Sequence, residues 1–183
     1  MPTAAALIVI DMQQGFDLPY WGERNNLRCE VNVAALIASF RQAQLPVIHV
    51  QHMSDEAQSP LRPGQSGNDF KPEALPLPGE KIFQKRVNSA FIGTELEQFL
   101  RDSNIDSLLL CGLTTDHCVS TTTRMAGNLG FKVIVVSDAT ATFNRTGMDG
   151  RAWSAEDIHQ SALASLNGEF AQVVTLQESL TLF

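Results

Sequence analysis

The chain has 183 residues, three cysteines and a formal net charge of −7. The length suits one domain with a full core over 1–183, and the acidic balance, with no basic run to offset it, argues against nucleic acid and anionic membrane as partners. The odd cysteine count is not a disulfide framework, the short apolar run at 4–10 has no basic residue before it and does not read as a signal peptide, and no stretch reaches the roughly 20 apolar residues of a membrane span, so a soluble cytoplasmic protein is expected.

In chain order, 5–10 is a continuous apolar run and reads as a buried strand. Residues 30–44 place Val33, Leu36, Ile37 and Phe40 at helical spacing. A second buried strand follows at 46–51. The stretch 53–79 differs, with five prolines and three glycines. So long a segment without regular structure is unusual inside a compact domain. It reads as a functional loop that covers something, anchored by Leu61, Phe70 and Leu75.

Residues 81–84 form a short strand. A helix at 94–101 opens on Thr94 with Glu97 three residues on, a capping-box pattern. The run Ile105 to Cys111 is a buried strand, and 116–129 is a helix ended by Gly130. Cys118 then lies in the first turn of that helix. Residues 132–136 are a strand, 154–166 a helix capped by Ser154 with Asp157 three residues on, and 171–175 a last strand. Strands alternate with helices, so the expected fold is α/β: a parallel sheet covered on both faces, a three-layer αβα sandwich.

In such sheets ligands bind outside the carboxyl ends of the strands. Those ends carry Asp11, then His49, Gln51 and His52, then Gln84-Lys85-Arg86, then Gly112-Leu113-Thr114-Thr115-Asp116-His117-Cys118, then Ser137-Asp138-Ala139. An acid, a cation and a thiol thus converge on one rim. Taken singly, Asp11 is a cap, Lys85 a solvated lysine and Cys118 a small buried residue. Taken together they explain one another. The aspartate accepts the thiol proton, the lysine holds the resulting anion, and a helix N-terminus favours the thiolate. Other readings lack support: no Gly-x-Gly-x-x-Gly follows the first strand, no Walker-type loop is present, and Gln13 stands where an Asp-x-Asp phosphotransfer site needs its second acid. His49, His52 and Asp55 make a poor metal set, because i and i+3 on an extended strand point to opposite faces. His52 reads as a pocket or surface residue, Cys111 as core, and Cys29 receives no role.

Three segments resemble the isochorismatase-like cysteine hydrolases: Ile8-Val9-Ile10-Asp11-Met12-Gln13 with Phe16; Lys85 with Asn88-Ser89-Ala90-Phe91 and Thr94-Glu95-Leu96; and Gly112 to Val119. The resemblance runs from Leu7 to about Val174. It implies a Rossmann-like six-stranded parallel sheet of order 3-2-1-4-5-6, a triad of Asp11, Lys85 and Cys118, and a cis peptide between Leu113 and Thr114. It further implies an oxyanion hole from the Thr114 and Cys118 backbone N–H groups, and a homodimer or homotetramer. Zinc-dependent nicotinamidases of this family carry an Asp-x-His pair after the second strand. The segment here, His49-Val50-Gln51-His52-Met53-Ser54, lacks it. No metal or other cofactor is therefore expected. The expected activity is thiol hydrolysis of a C–N bond in a small amide, ureide or carbamate through a thioester. The alternatives are a vinyl-ether hydrolase of the isochorismate type, with the aspartate as acid, and a non-catalytic binding protein on the same fold. Phe16, His52, Phe91 and His117 are the expected substrate contacts; Tyr20, Trp21 and Phe143 are further aromatics near the rim, with core or subunit contact as their plainer role.

Overall fold

The protein is described from a computed structural model, over residues 4–182; residues 1–3 and 183 of the expected domain lie outside the described residues. Its strands are β1 (Ala4–Ile10), β2 (Val47–His52), β3 (Lys81–Lys85), β4 (Ile105–Leu113), β5 (Lys132–Ala141), β6 (Arg145–Thr146), β7 (Ala152–Trp153) and β8 (Gln172–Val174). The helices are α1 (Cys29–Gln42), α2 (Leu96–Asp102), α3 (Ser120–Asn128), α4 (Ala155–Leu166) and α5 (Leu176–Ser179). The main sheet has six strands in the order β3-β2-β1-β4-β5-β8, all pairs parallel. Its sixth strand is eighth in the chain because an unpredicted antiparallel ribbon, β6 with β7, intervenes.

The apolar strands serve two cores at once. Along β1, Leu7 and Val9 face a cluster with Val33, Leu36, Ile37 and Phe40 of α1, while Ala6, Ile8 and Ile10 face one with Leu96 and Leu100 of α2 and Leu163 of α4. A strand's side chains alternate between faces, so a strand covered on both sides is apolar at every position. Each fully buried Leu or Ile adds about 1.5–3 kcal/mol before the entropy of ordering is deducted. The sheet's centre is therefore rigid enough to fix what sits at its carboxyl edge.

At that edge β1 and β4 pair through Ile10 and Gly112. Gly112 has φ 115°, and a Cβ there would lie 2.0 Å from the Ile10 carbonyl oxygen, so only glycine permits this approach. The next residues are Leu113 and Thr114, joined by a cis peptide.

Two local expectations fail. Thr94 does not form a capping box: α2 begins at Leu96 with Glu95 as N-cap, and the Thr94 hydroxyl donates to the Ala90 carbonyl while accepting from the Leu96 N–H. The helix expected from 116 is a π-helical turn, Thr115–Val119, followed by α3. Both His117 and Val119 donate to the Thr114 carbonyl, which widens the turn. Cys118 thus sits inside a π turn, not in the first turn of an α-helix. The Ser154 cap holds, accepting from the Asp157 amide.

The 53–79 segment is tied down along its length. The Gln13 amide accepts from the His52 N–H at 2.9 Å and donates to the carbonyls of His52 and Asn68. Asn68 donates to His52 and Leu61 carbonyls. Lys71, 2% exposed, pairs with Asp17 and with Glu30. Gly67 lies against Pro60 and Gly15, and a Cβ on it would meet the Pro60 carbonyl at 2.3 Å. Of the expected anchors, Leu61 is buried, whereas the Leu75 side chain is 55% exposed and only its carbonyl is tied, accepting from Arg41.

Acid should loosen this frame in two stages. Burial lowers the His49, His52 and His159 imidazoles below 6.5, outweighing the acids that oppose it. The unfolded chain then binds these protons more readily, so stability is lost as pH falls below 6.5. Burial opposes the charge on Glu30 and Glu80, yet Arg24 and Lys71 on the first, and Arg41, the Leu77 N–H and His49 on the second, bring both to about 2. Their contribution is present above 4.5 and is lost below it. The thermal midpoint should be level above about pH 7, decline from about 6.5 and steepen below about 4.5. A midpoint that rises on acidification from about pH 7 to 5 contradicts this assignment.

Candidate active site

Asp11 follows β1 with φ 49°, a left-handed conformation that aspartate tolerates better than most residues. The turn aims its carboxylate under the π turn. Lys85 ends β3, and His52 ends β2 as its register partner. These strand ends bring four side chains together. The Lys85 ammonium donates to Asp11 Oδ2 at 2.6 Å, to Cys118 Sγ at 3.2 Å and to His52 Nδ1 at 3.1 Å. Asp11 is fully buried, Lys85 is 1% and Cys118 8% exposed. Asp11 Oδ1 is also buried and has no hydrogen-bond partner among the described residues.

The electrostatics follow from this geometry. Burial alone would lower the Lys85 ammonium, but Asp11 and Cys118 outweigh it and hold its proton on. Burial, then the neighbouring Asp11 carboxylate, pushes the Cys118 thiol up against the opposing effect of Lys85. The expectation of an easily ionised thiol is thereby corrected: desolvation and the Asp11 charge make ionisation harder, not easier. Burial, then the Lys85 charge, lowers His52. An ammonium only donates, so Nδ1 of the neutral ring accepts and its proton lies on Nε2.

One carboxylate oxygen of Asp11, one ring nitrogen of His52 and Cys118 Sγ lie within 4.8 Å of one another, a ligand set by residue type. The Lys85 ammonium is bonded to all three residues, and a metal cation would have to displace it. His49, His52 and Asp55 diverge: His49 bonds Glu80 at 2.9 Å, Asp55 pairs with Arg86, and His52 meets Lys85.

Above the sulfur is a cavity of about 270 Å³, lined among others by Phe16, Trp21, His52, Thr114, His117 and Cys118. Ser54, Glu56, Ser59 and Leu61 of the tied-down loop complete it, so the loop covers the site of its own chain. Phe16 and Trp21 form an aromatic wall with centroids 4.8 Å apart. Phe91 is not in that lining; its ring stacks on Phe131 in the α2 and α4 core cluster. Phe143 lies behind Phe16, 1% exposed, and Tyr20 is 54% exposed against Trp21. Asp138, at an expected strand end, bonds the Leu176 N–H at the start of α5 instead.

Several lining or supporting residues were not singled out from sequence. Asn88 lines the cavity with Oδ1 3.9 Å from the sulfur, and it belongs to a segment quoted for the resemblance. Gln13 and Asn68 act through backbone bonds that no local pattern reveals. Asp116 braces the π turn by accepting from Thr142 and from Arg145 at 3.1 Å.

A parallel αβα sheet with acid, ammonium and thiol gathered at its carboxyl edge, beneath a covered cavity, defines a Rossmann-like hydrolase. The family model of the isochorismatase domain matches residues 5–178. An uncharacterized isochorismatase family protein of Bacillus subtilis (strain 168), YrdC, is 43% identical over 183 residues, covering 100% of this chain and 98% of that one. The crystal structure of an isochorismatase-family protein from Chromobacterium violaceum superposes with a TM-score of 0.93 at 44% identity, covering 98% of this chain and 92% of that chain. Nicotinamidase 3 of Arabidopsis thaliana is 28% identical over 187 residues, covering 93% of this chain and 84% of that one. The chain belongs to the isochorismatase family and is a hydrolase. Among the described residues no helix is long and apolar enough to cross a membrane.

Proposed function

We propose that this hydrolase cleaves the C–N bond of a small amide, ureide or carbamate through a Cys118 thioester, working as one domain. The observation that carries the reading is the Lys85 ammonium bonded at once to Asp11 and to the Cys118 sulfur on the floor of a covered cavity. The Cys118 proton passes to the Asp11 carboxylate as sulfur attacks the carbonyl carbon. Lys85 stabilises the charge developing on sulfur. The tetrahedral oxyanion takes hydrogen bonds from the Thr114 and Cys118 N–H groups, each worth about 3 kcal/mol of barrier. The C–N bond breaks as Asp11 returns the proton to the leaving nitrogen. Water, deprotonated by Asp11, then opens the thioester, and that proton goes back to sulfur. Proton transfer of this kind contributes about a hundredfold or more.

Two features favour this over the alternatives. A vinyl-ether hydrolase needs an acid but no thiol, and isochorismate-type substrates carry carboxylates, whereas the described lining holds no Lys or Arg. A binding protein has no use for a buried acid, ammonium and thiol, which are costly to desolvate. His52, Phe16 and His117 are assigned to substrate contact, and the absent Asp-x-His pair speaks against a zinc-dependent route. The test is a panel of small amides scored by ammonia release, with turnover quenched in acid and digested. The Cys118 peptide should be heavier by the acyl group; substrate consumption with no such adduct would overturn the thioester.

A further inference from the structure

We propose that His52 is a positioning residue for Asp11, Lys85 and Cys118. By accepting one N–H of the Lys85 ammonium, it keeps the other two on Cys118 and on a single oxygen of Asp11. The second Asp11 oxygen is thereby left free to take the thiol proton. The inference rests on the Cys118 thiol chemistry proposed above and adds a fourth residue to it.

An ammonium has three protons and only donates. Lys85 places them on three different residues: Asp11 Oδ2 at 2.6 Å, His52 Nδ1 at 3.1 Å and Cys118 Sγ at 3.2 Å. The Lys85 and Asp11 side chains are both 0% exposed, so bulk water offers no substitute acceptor. A buried donor left unpaired is costly, so without the imidazole the freed N–H would turn to another acceptor.

Among the described residues, three buried side-chain atoms lack a hydrogen-bond partner: Asp11 Oδ1, Arg24 Nε and His49 Nδ1. Arg24 Nε is a donor, and the His49 ring is bonded to Glu80. Only Asp11 Oδ1 is an acceptor on a residue that the ammonium already touches. Without His52 the ammonium would bridge both Asp11 oxygens and be drawn off the sulfur. Hydrogen bonds to a carboxylate favour its charged form, so a bridged Asp11 is a weaker base for the Cys118 proton.

The backbone holds the ring in place. His52 and Lys85 are register partners on β2 and β3, so their side chains project from the same face of the sheet. The buried Gln13 amide accepts from the His52 N–H and donates to its carbonyl, and the Asn68 amide donates to that carbonyl as well. The Met53 N–H then donates to the Lys85 carbonyl at 2.7 Å. Main-chain bonds thus fix His52 on both sides, while its ring meets the ammonium and lines the cavity.

The test reads the sulfur directly and requires no turnover. Cys118 is alkylated in the wild type, His52→Gln and His52→Leu, with iodoacetamide and with the bulkier N-ethylmaleimide, and the site is located by peptide mass. Glutamine offers an acceptor oxygen where Nδ1 stood; leucine offers none. The leucine variant should react about tenfold more slowly with both reagents, and the glutamine variant within about threefold of the wild type. Equal rates in all three proteins, a glutamine variant as slow as the leucine one, or slowing confined to the bulkier reagent overturns the inference. A second measurement uses the unaltered protein. Its nitrogen-15 spectrum at about pH 7 should show the His52 ring protonated on Nε2 and bare on Nδ1. A proton on Nδ1 overturns the inference even if the leucine variant does not fold. On an amide that the enzyme hydrolyses, His52→Leu should lower kcat about tenfold and change KM less. A rise in KM with kcat unchanged makes His52 a substrate contact alone and overturns the positioning role. If alkylation behaves as stated but no amide is cleaved, the positioning role stands and the amide-hydrolase reading falls.

Discussion

Under the proposed thioester route, replacing Cys118 with alanine should lower turnover of an amide substrate by about a thousandfold or more, and serine should do nearly as much damage. The alanine protein keeps the aspartate, the ammonium and the cavity but has no atom to form the acyl bond. The serine hydroxyl would occupy the same place, but its proton is harder to remove, and the Asp11–Lys85 pair is matched to a thiol. Iodoacetamide gives a second readout. It should label Cys118, which is 8% exposed, ahead of Cys29 and Cys111, which are fully buried. Burial pushes the Cys29 thiol to about 12 and that of Cys111 well above its ordinary value. Burial and the Asp11 charge raise Cys118 as well, so its preference rests on its exposure and on Asp11, positioned to take the proton during attack. Full turnover in both variants, or after complete alkylation, rules out the thioester and favours a vinyl-ether hydrolase using the acid alone.

The second large effect concerns the buried ion pair. Lys85→Met leaves the Asp11 carboxylate without a counter-charge at a fully buried position, and the loss of stability should be about 3–5 kcal/mol. Asp11→Asn, which tolerates the left-handed backbone, strands the ammonium instead and should cost a similar amount. The double variant Asp11→Asn/Lys85→Met removes both charges, so its loss should be clearly smaller than the sum of the two. Denaturant unfolding measures all three. None of them should hydrolyse substrate, because the proton acceptor, the anion stabiliser or both are gone. Additive losses in the double variant would mean that the two charges do not support each other in the folded protein. A Lys85→Met protein that kept full turnover would remove the lysine from the chemistry.

Much of this architecture was legible in one dimension. The run at 5–10 is apolar at every position, and those at 46–51 and 105–111 are mostly so, as a strand covered on both faces requires. Helical spacing in 30–44 and the Ser154 cap marked α1 and α4 correctly, because both are local signals that tertiary contacts did not override. The alternation of strand and helix placed Asp11, Lys85 and Cys118 at one edge without any distance being known. Thr94 misled because the helix starts two residues later, at Leu96, whose N–H the hydroxyl accepts, so Glu97 is only the second helical residue and cannot close the box. Phe91 misled because aromatic residues near a rim also serve the core, and Phe131 was there to receive it. The π turn was invisible because hydrogen bonds from His117 and Val119 to Thr114, not side-chain periodicity, define it.

The amino-acid order alone determined which side chains reach the carboxyl edge of the sheet and which chemistry they bring, since strand periodicity and connection length decide face and end locally. Only the tertiary structure decided that one ammonium touches an acid, a thiol and an imidazole, that burial pushes the thiol's ionisation up, and that the 53–79 loop lines its own chain's cavity. Those outcomes depend on distances between residues tens of positions apart and on how much water packing excludes. Desolvation and charge pairing act through space, and no local pattern records them.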